Sequence, residues 1–411
     1  MKTIHDIEEK IENKTANILT AQELKEQFRN NNEITVEDVD IVTTGTCGVM
    51  SGTTAILHLP VDKPGSFQKA KKVYLNGIES YPGPCPNEYL GSVDLIVYGT
   101  NHSQTIPDYG GGFLFKDLID NKKIDVTVID INDNKIKTSI SLDEIPFAKL
   151  MGTRMAFKNY TAFTNPTAET VKSIFNAKPM NGEYSELSFS GCGDINPLQN
   201  DPEMNIITEN TKALLNGASA TVISTGTRST SQKPNLMIIG DMKNMNSKYI
   251  GGFKTGLGPE VYNTVSIPIP VLNEDILSNL KVLNNDIDLP LADIHGRHLP
   301  LSTINYGLMW DNVNYRPSQD LNKCLNCDSC SAENSCPTNA YHKNKTIDMN
   351  LCYGCGMCKT SCPHNVVNMN LGKIVFNNQE ISVTCRQSDK LKAINLTHDL
   401  KNQLLNGDFK L

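Results

Sequence analysis

The sequence predicts a sheet-rich body of mixed α/β or α+β class, followed by a small cysteine-rich domain. Two observations carry this. Short apolar runs at residues 39–42, 73–75, 95–97, 126–129, 187–189, 221–224 and 236–239 have strand character, with helical candidates at 167–175 and 208–216 between some of them. Eight of the 12 cysteines fall between Cys324 and Cys362.

In chain order, residues 1–30 read as two short helices, the second opened by the capping-box form Thr20-Ala21-Gln22-Glu23. The strand runs follow. Residues 267–300, rich in Pro, Asn and Asp, read as extended loops with a short helix, and Arg316-Pro317-Ser318 as a linker. The tail reads as a hairpin with Asn377-Asn378 at its tip, then an amphipathic helix over 388–405. The expected units are a catalytic body at 1–315, a cysteine-rich domain at 316–372 and a C-terminal hairpin and helix at 373–411 that pack back on the body.

Composition excludes several classes. Lys+Arg is 38 against Asp+Glu 45, a net charge of −7, which gives no electrostatic reason to expect nucleic acid. No apolar run approaches the ~18 residues of a membrane span, so no membrane association is expected. The acidic start, with Asp6, Glu8 and Glu9, is not a secretory signal. Cysteine-rich disulfide scaffolds are short and secreted. These thiols are therefore expected reduced, in a cytoplasmic protein.

The eight clustered cysteines form two runs, Cys324-x2-Cys327-x2-Cys330-x5-Cys336-Pro337 and Cys352-x2-Cys355-x2-Cys358-x3-Cys362-Pro363. The second matches the bacterial ferredoxin run, and the first has two extra residues before its last cysteine. In two-cluster ferredoxins the last cysteine of each run serves the other cluster. The expected cofactors are two [4Fe–4S] clusters, one on Cys324, Cys327, Cys330 and Cys362, the other on Cys352, Cys355, Cys358 and Cys336. Zinc knuckles use separated cysteine pairs and fit this spacing poorly.

Three further cysteines are catalytic candidates. Cys47 sits among small residues in Thr43–Thr54, where a glycine-rich turn would form an anion nest that favours thiolate; a buried inert cysteine is the other reading. Cys192 stands between glycines in Ser190-Gly191-Cys192-Gly193-Asp194, directly after a strand run. Cys85 lies in the stiff Pro82-Gly83-Pro84-Cys85-Pro86 turn. Cys385 reads as structural. Arg154 and Arg228, beside Gly/Thr-rich stretches, are candidates for an anionic substrate, together with Thr46, Gly48 and Ser51 around Cys47. There is no Walker motif, no dinucleotide fingerprint and no H-E-x-x-H pair.

Thr43–Thr54, Tyr81–Leu90, Gly110–Leu118, Ser190–Asp194 and Arg386-Gln387-Ser388-Asp389 together resemble the archaeal homocysteine-biosynthesis family, and the fused ferredoxin motifs resemble its methanogenesis-marker branch. The resemblance implies sulfur insertion into an aldehyde through a cysteine persulfide. It implies sulfoacetaldehyde, giving coenzyme M, or aspartate semialdehyde, giving homocysteine. Turning a thioaldehyde into a thiol takes two electrons, which two one-electron clusters can deliver without a hydride cofactor. The implied partners are a small anionic aldehyde, a sulfide or persulfide donor and an external low-potential electron donor. An electron-transfer subunit of a redox complex is the rival reading, and a homodimer stays open.

Overall fold

The computed structural model describes residues 2–83, 88–158, 160–296, 299–342, 344 and 346–411. Among them, fourteen strands form one sheet. From one edge it runs Ile18–Thr20, Ile41–Val49, Gly258–Pro270, Lys212–Leu215, Ala218–Thr225, Leu236–Asp241, Phe147–Met155, Thr53–Pro60, Ser92–Tyr98, Ile78–Pro82, Ala70–Leu75, Ile124–Asp130 and Lys135–Ile140, with Gly251–Thr255 pairing Gly258–Pro270 off this path. All pairs are antiparallel except Ile18–Thr20 with Ile41–Val49. Helices pack on this sheet, so the body is mixed α and β as expected.

A second sheet has six strands: Pro300–Asn305, Asp288–Asp293, Ala162–Thr164, Leu187–Phe189, Gln379–Arg386 and Lys373–Phe376. Its last two strands are the C-terminal hairpin. Asn377 and Asn378 both take positive φ at the tip, as a two-residue hairpin turn demands. The chain thus returns from its cysteine-rich segment to complete a sheet begun near residue 162. The C-terminal helix Lys390–Asn406, capped by Asp389, then lies against the Ile41–Val49 strand.

Gly45 permits that close packing. A Cβ there would stand 2.8 Å from the Ala393 carbonyl oxygen and 2.7 Å from Thr397 Cγ2, inside van der Waals contact. The helix buries Ala393, Ile394, Leu396 and Leu400 on this side. The N-terminal helices Ile4–Glu12 and Ala21–Arg29 form as expected, both with closed capping boxes.

Three local expectations fail. Residues 208–216 are not helical: Lys212–Leu215 is a strand, and Asn216 and Gly217, both at positive φ, turn it into Ala218–Thr225. That Asn-Gly pair is the hairpin signal that outweighs the apolar spacing. Residues 167–175 form turns, because the Asn165 side chain accepts from the Thr167 amide at 3.1 Å and donates to the Glu169 and Met180 carbonyls, offering the backbone a local alternative to a helix. Within 267–300, residues 267–270 end the thirteen-residue strand Gly258–Pro270, and Asp288–Asp293 is also a strand.

Gly45→Ala is expected to lower unfolding stability by about 1–3 kcal/mol, the usual cost of overpacking, by driving the C-terminal helix off the sheet. Urea titration measures this, and an unchanged midpoint would show that the helix accommodates the methyl group.

Candidate active site and cysteine cradle

Cys47 lies in the middle of Ile41–Val49, paired with Thr264 on the neighbouring strand. Here the nest expectation is corrected. The glycine-rich stretch continues as an extended strand, because Gly258–Pro270 pairs with it from residue 41 to residue 49, so no ring of amides faces the thiol. Burial pushes the Cys47 thiol well above its ordinary value, and the nearby Asp389 and Cys192 add to that.

Cys192 follows the Leu187–Phe189 strand, flanked by Gly191 and Gly193, which both have positive φ. At Gly191 a Cβ would collide with the Tyr306 hydroxyl. The turn brings Cys192 directly onto Cys47. The Cys47 amide donates to Cys192 Sγ at 3.3 Å, and the Cys192 thiol is set to donate back to the Cys47 carbonyl at 3.5 Å. Both side chains are completely buried. Burial pushes the Cys192 thiol up to about 11, held below Cys47 by the Cys47 amide, the Thr46 hydroxyl and the Lys390 charge. Both thiols are therefore held protonated at rest, with the larger share of stabilising donors on Cys192.

One predicted residue, Thr46, meets this pair directly. Thr46 Oγ1 faces Cys192, as does Tyr160, whose half-buried ring carries a hydroxyl out of solvent; neither hydroxyl completes a well-aligned hydrogen bond. The Tyr160 ring packs on Phe157, which lies under the Arg154 guanidinium at 4.8 Å. Arg228 is close enough to depress the Arg154 charge, and the 227 amide donates to the Thr153 carbonyl, fixing that loop. No carboxylate pairs with either arginine among the described residues. Exposed Arg228, half-buried Arg154, Tyr160 and Cys192 thus form a graded path from solvent to the thiols.

Gly48 and Ser51 do not join this path. Gly48 bridges Ser388, whose Oγ accepts from the Gly191 amide at 2.7 Å, so its role here is close strand contact. Ser51 is exposed at the next turn and faces Glu260. Cys85 lies outside the described residues.

The segment Arg386–Asp389 links the thiols to the cysteine-rich region. The Arg386 amide donates to the Cys355 carbonyl at 2.9 Å, and the Asp389 amide to the Cys47 carbonyl at 3.2 Å. Tyr353 donates its hydroxyl to the Gln387 carbonyl at 2.9 Å. Asp389, fully buried, holds Arg316 through two bonds of 2.9 and 2.8 Å. Tyr160, Arg316, Asp389 and Lys390 are absent from the candidates read from sequence. Only Asp389 stood in a quoted motif, and its pairing with Arg316 spans 73 residues.

Cys336, Cys352, Cys355 and Cys358 line one small cavity together with Pro317, Tyr341 and Tyr353. The Ala340 amide donates to Cys336 Sγ at 3.2 Å, and the amides of Gly354, Met357 and Lys359 are directed at Cys352, Cys355 and Cys358. No three acidic, His or Cys side chains among the described residues close to single-ion distance. Four thiols around a cavity, each supplied with an amide, fit an iron–sulfur group better than a zinc ion, whose Zn–S bonds of about 2.3 Å draw four sulfurs to a point. Of the other four, Cys330 and Cys362 pack beside this set, while Cys324 and Cys327 lie nearer solvent in residues 324–330, which form no helix or strand.

A family model described as "Homocysteine biosynthesis enzyme, sulfur-incorporation" matches residues 16–411. The chain is 48% identical over 406 residues to an uncharacterized protein of Methanothermobacter thermautotrophicus, covering 99% of this chain and 94% of that one. It is 31% identical over 318 residues to the L-aspartate semialdehyde sulfurtransferase of Methanosarcina acetivorans, covering 74% of this chain and 62% of that one. Over 55 residues, 13% of this chain and 65% of that one, it is 36% identical to pyruvate synthase subunit PorD of Methanothermobacter marburgensis. No solved structure matches.

Asp389→Asn leaves the buried Arg316 charge without its partner and is expected to cost about 3–5 kcal/mol, readable by urea unfolding. Arg316→Met with Asp389→Asn should recover part of that loss.

Proposed function

Because the chain belongs to the family of homocysteine biosynthesis, sulfur-incorporation enzymes, we propose that it converts a small anionic aldehyde to a thiol by reductive sulfur transfer. The observation that carries this reading is the meeting of Cys47 and Cys192, 145 residues apart in sequence, beside the four-cysteine cradle. Two [4Fe–4S] clusters, on the ligand sets Cys352, Cys355, Cys358 with Cys336 and Cys324, Cys327, Cys330 with Cys362, would supply electrons singly, drawn from an external low-potential donor.

The chain's own groups have definable tasks. Arg228 and Arg154 hold the anionic end of the aldehyde by forked hydrogen bonds. Cys192, the thiol with the larger share of stabilising donors, carries the transferable sulfur as a persulfide. Its terminal sulfur bonds to the aldehyde carbon, and the carbonyl electron pair moves to oxygen, which takes a proton from Tyr160 with Thr46 alongside. The Cys47 thiolate then attacks Cys192 Sγ. The bond between that sulfur and the transferred one breaks, releasing a hydroxythiol and leaving a Cys47–Cys192 disulfide. Hydrosulfide reopens the disulfide, restoring the persulfide and the Cys47 thiolate. The hydroxythiol loses water to a thioaldehyde, which takes up two electrons and two protons to become the thiol.

Sulfoacetaldehyde, giving coenzyme M, is the substrate we favour: two arginines with no carboxylate beside them suit a sulfonate and offer no acceptor for an α-ammonium group. Aspartate semialdehyde, giving homocysteine, is the second reading, favoured by the names of relatives 31% and 32% identical to this chain.

The anaerobic protein, with sulfide and a low-potential reductant, is expected to form coenzyme M from sulfoacetaldehyde faster than homocysteine from aspartate semialdehyde; the reverse preference would reassign the substrate. Cys192→Ala and Cys47→Ala should each lose activity, and full activity in both would refute the persulfide scheme. Tyr160→Phe should lower kcat about 10²-fold or more if its proton is transferred.

A further inference from the structure

A cavity of about 450 Å³ lies behind the Cys192 turn, walled by the Ala21–Arg29 helix, the start of the C-terminal helix and Trp310. Three basic and three acidic side chains line it, and of the acidic ones, Glu26, Asp194 and Asp311, only Asp194 is buried. Lys25, Arg29 and Lys390 face it, and the carboxylate buried in its wall is Asp194. Arg29 and Lys390 both pair with Asp194, Lys390 at 2.7 Å. Lys25 has no carboxylate partner. It is fully buried and donates only to neutral groups, Asn200 Oδ1 at 2.8 Å and the Leu280 carbonyl. Glu26 at the rim is exposed, and Asp311 is occupied by the amides of Asn284 and Asn285. Two buried ammonium groups, Lys25 and Lys390, thus share one buried carboxylate, Asp194, and burial holds Lys25 down to about 7. An anion entering the cavity would favour the charged form of Lys25, so the cavity is suited to receive one.

The cavity also lies against the turn that carries Cys192. Trp310 Nε1 donates to the Gly191 carbonyl at 2.9 Å, Asp194 is two residues beyond Cys192, and the Lys390 charge acts on the Cys192 thiol. Neither Arg154 nor Arg228 lines it. We propose that this cavity is a second anion site, separate from the Arg154–Arg228 pair, which holds a small anion next to Cys192. Two sources share that chemistry: hydrosulfide as the sulfur donor, and the sulfonate or carboxylate end of the aldehyde. Anion binding follows from the cavity alone, and only its use in sulfur delivery rests on the function proposed above.

The test is isothermal titration of the anaerobic full-length protein with hydrosulfide and, separately, with 2-hydroxyethanesulfonate, an unreactive sulfonate. At least one probe should bind saturably. Arg29→Gln should weaken that binding at least 5-fold, Arg29→Lys should largely retain it, and Arg154→Gln should leave it unchanged. Arg29 is partly exposed, so these variants are expected to keep the wild-type melting temperature, whereas Lys25→Met tests the buried charge at greater risk to folding. Whichever probe responds to Arg29 identifies the source. The proposal fails if neither probe binds, or if binding is lost in Arg154→Gln and kept in Arg29→Gln. Either result can occur whether or not the protein makes a thiol.

Discussion

The buried ion pair between Arg316 and Asp389 is the constraint on which the rest of the arrangement hangs. Arg316 sits where the body gives way to the cysteine-rich segment, and Asp389 heads the C-terminal helix. Burying two charges is repaid only when both are fully hydrogen-bonded, which rewards one geometry and penalises its neighbours. Asp389 meets that condition with its two bonds to Arg316 and with the Lys392 amide on its side chain, while its own amide reaches the Cys47 carbonyl. One residue therefore fixes the helix start, the position of the Cys47 strand and the docking of the cysteine cradle. The buried thiol pair and the cysteine-rich segment share this single joint.

Polarity is graded around the joint. Cys336, Cys352 and Cys355 are buried against the body, Cys330, Cys358 and Cys362 are intermediate, and Cys327 is exposed. Aromatic packing seals the inner side, with Tyr353 between Phe253 at 5.1 Å and Tyr262 at 4.9 Å. The thiol pair is equally dry. Such a site excludes water and strengthens each charge that reaches it. It also keeps resting thiols protonated, so reactivity has to be raised by a bound ligand instead of being displayed at all times.

Much of this was legible in the sequence because it is local. The spacing of the second cysteine run already groups Cys352, Cys355 and Cys358, which line one cavity, the helix caps and the Asn377-Asn378 hairpin follow from turn chemistry, and the seven short apolar runs all lie in strands or overlap one. Cys47 and Cys192 were marked by their glycines, although the reason differs: at Gly45 and Gly48 neighbouring chain segments approach closely, and only Gly191 and Gly193 need positive φ. What stayed hidden was non-local. Nothing near Tyr160 indicates that it will face Cys192, and nothing near Lys25 indicates that it will be buried. The helical reading of 208–216 failed because an apolar run of three residues, Ala213 to Leu215, has no period of its own, and the Asn216-Gly217 turn decides it.

The C-terminal return has a further consequence, for the order of events during synthesis. The Cys47 strand leaves the ribosome well before its packing partners Ala393 and Thr397 and its bond from Asp389. The cysteine-rich segment lies between them in the chain. Both cysteine runs have therefore emerged before the Cys47–Cys192 pair is closed in. A nascent chain stalled short of residue 386 would hold all eight clustered cysteines and both buried thiols and still lack the strap that joins them.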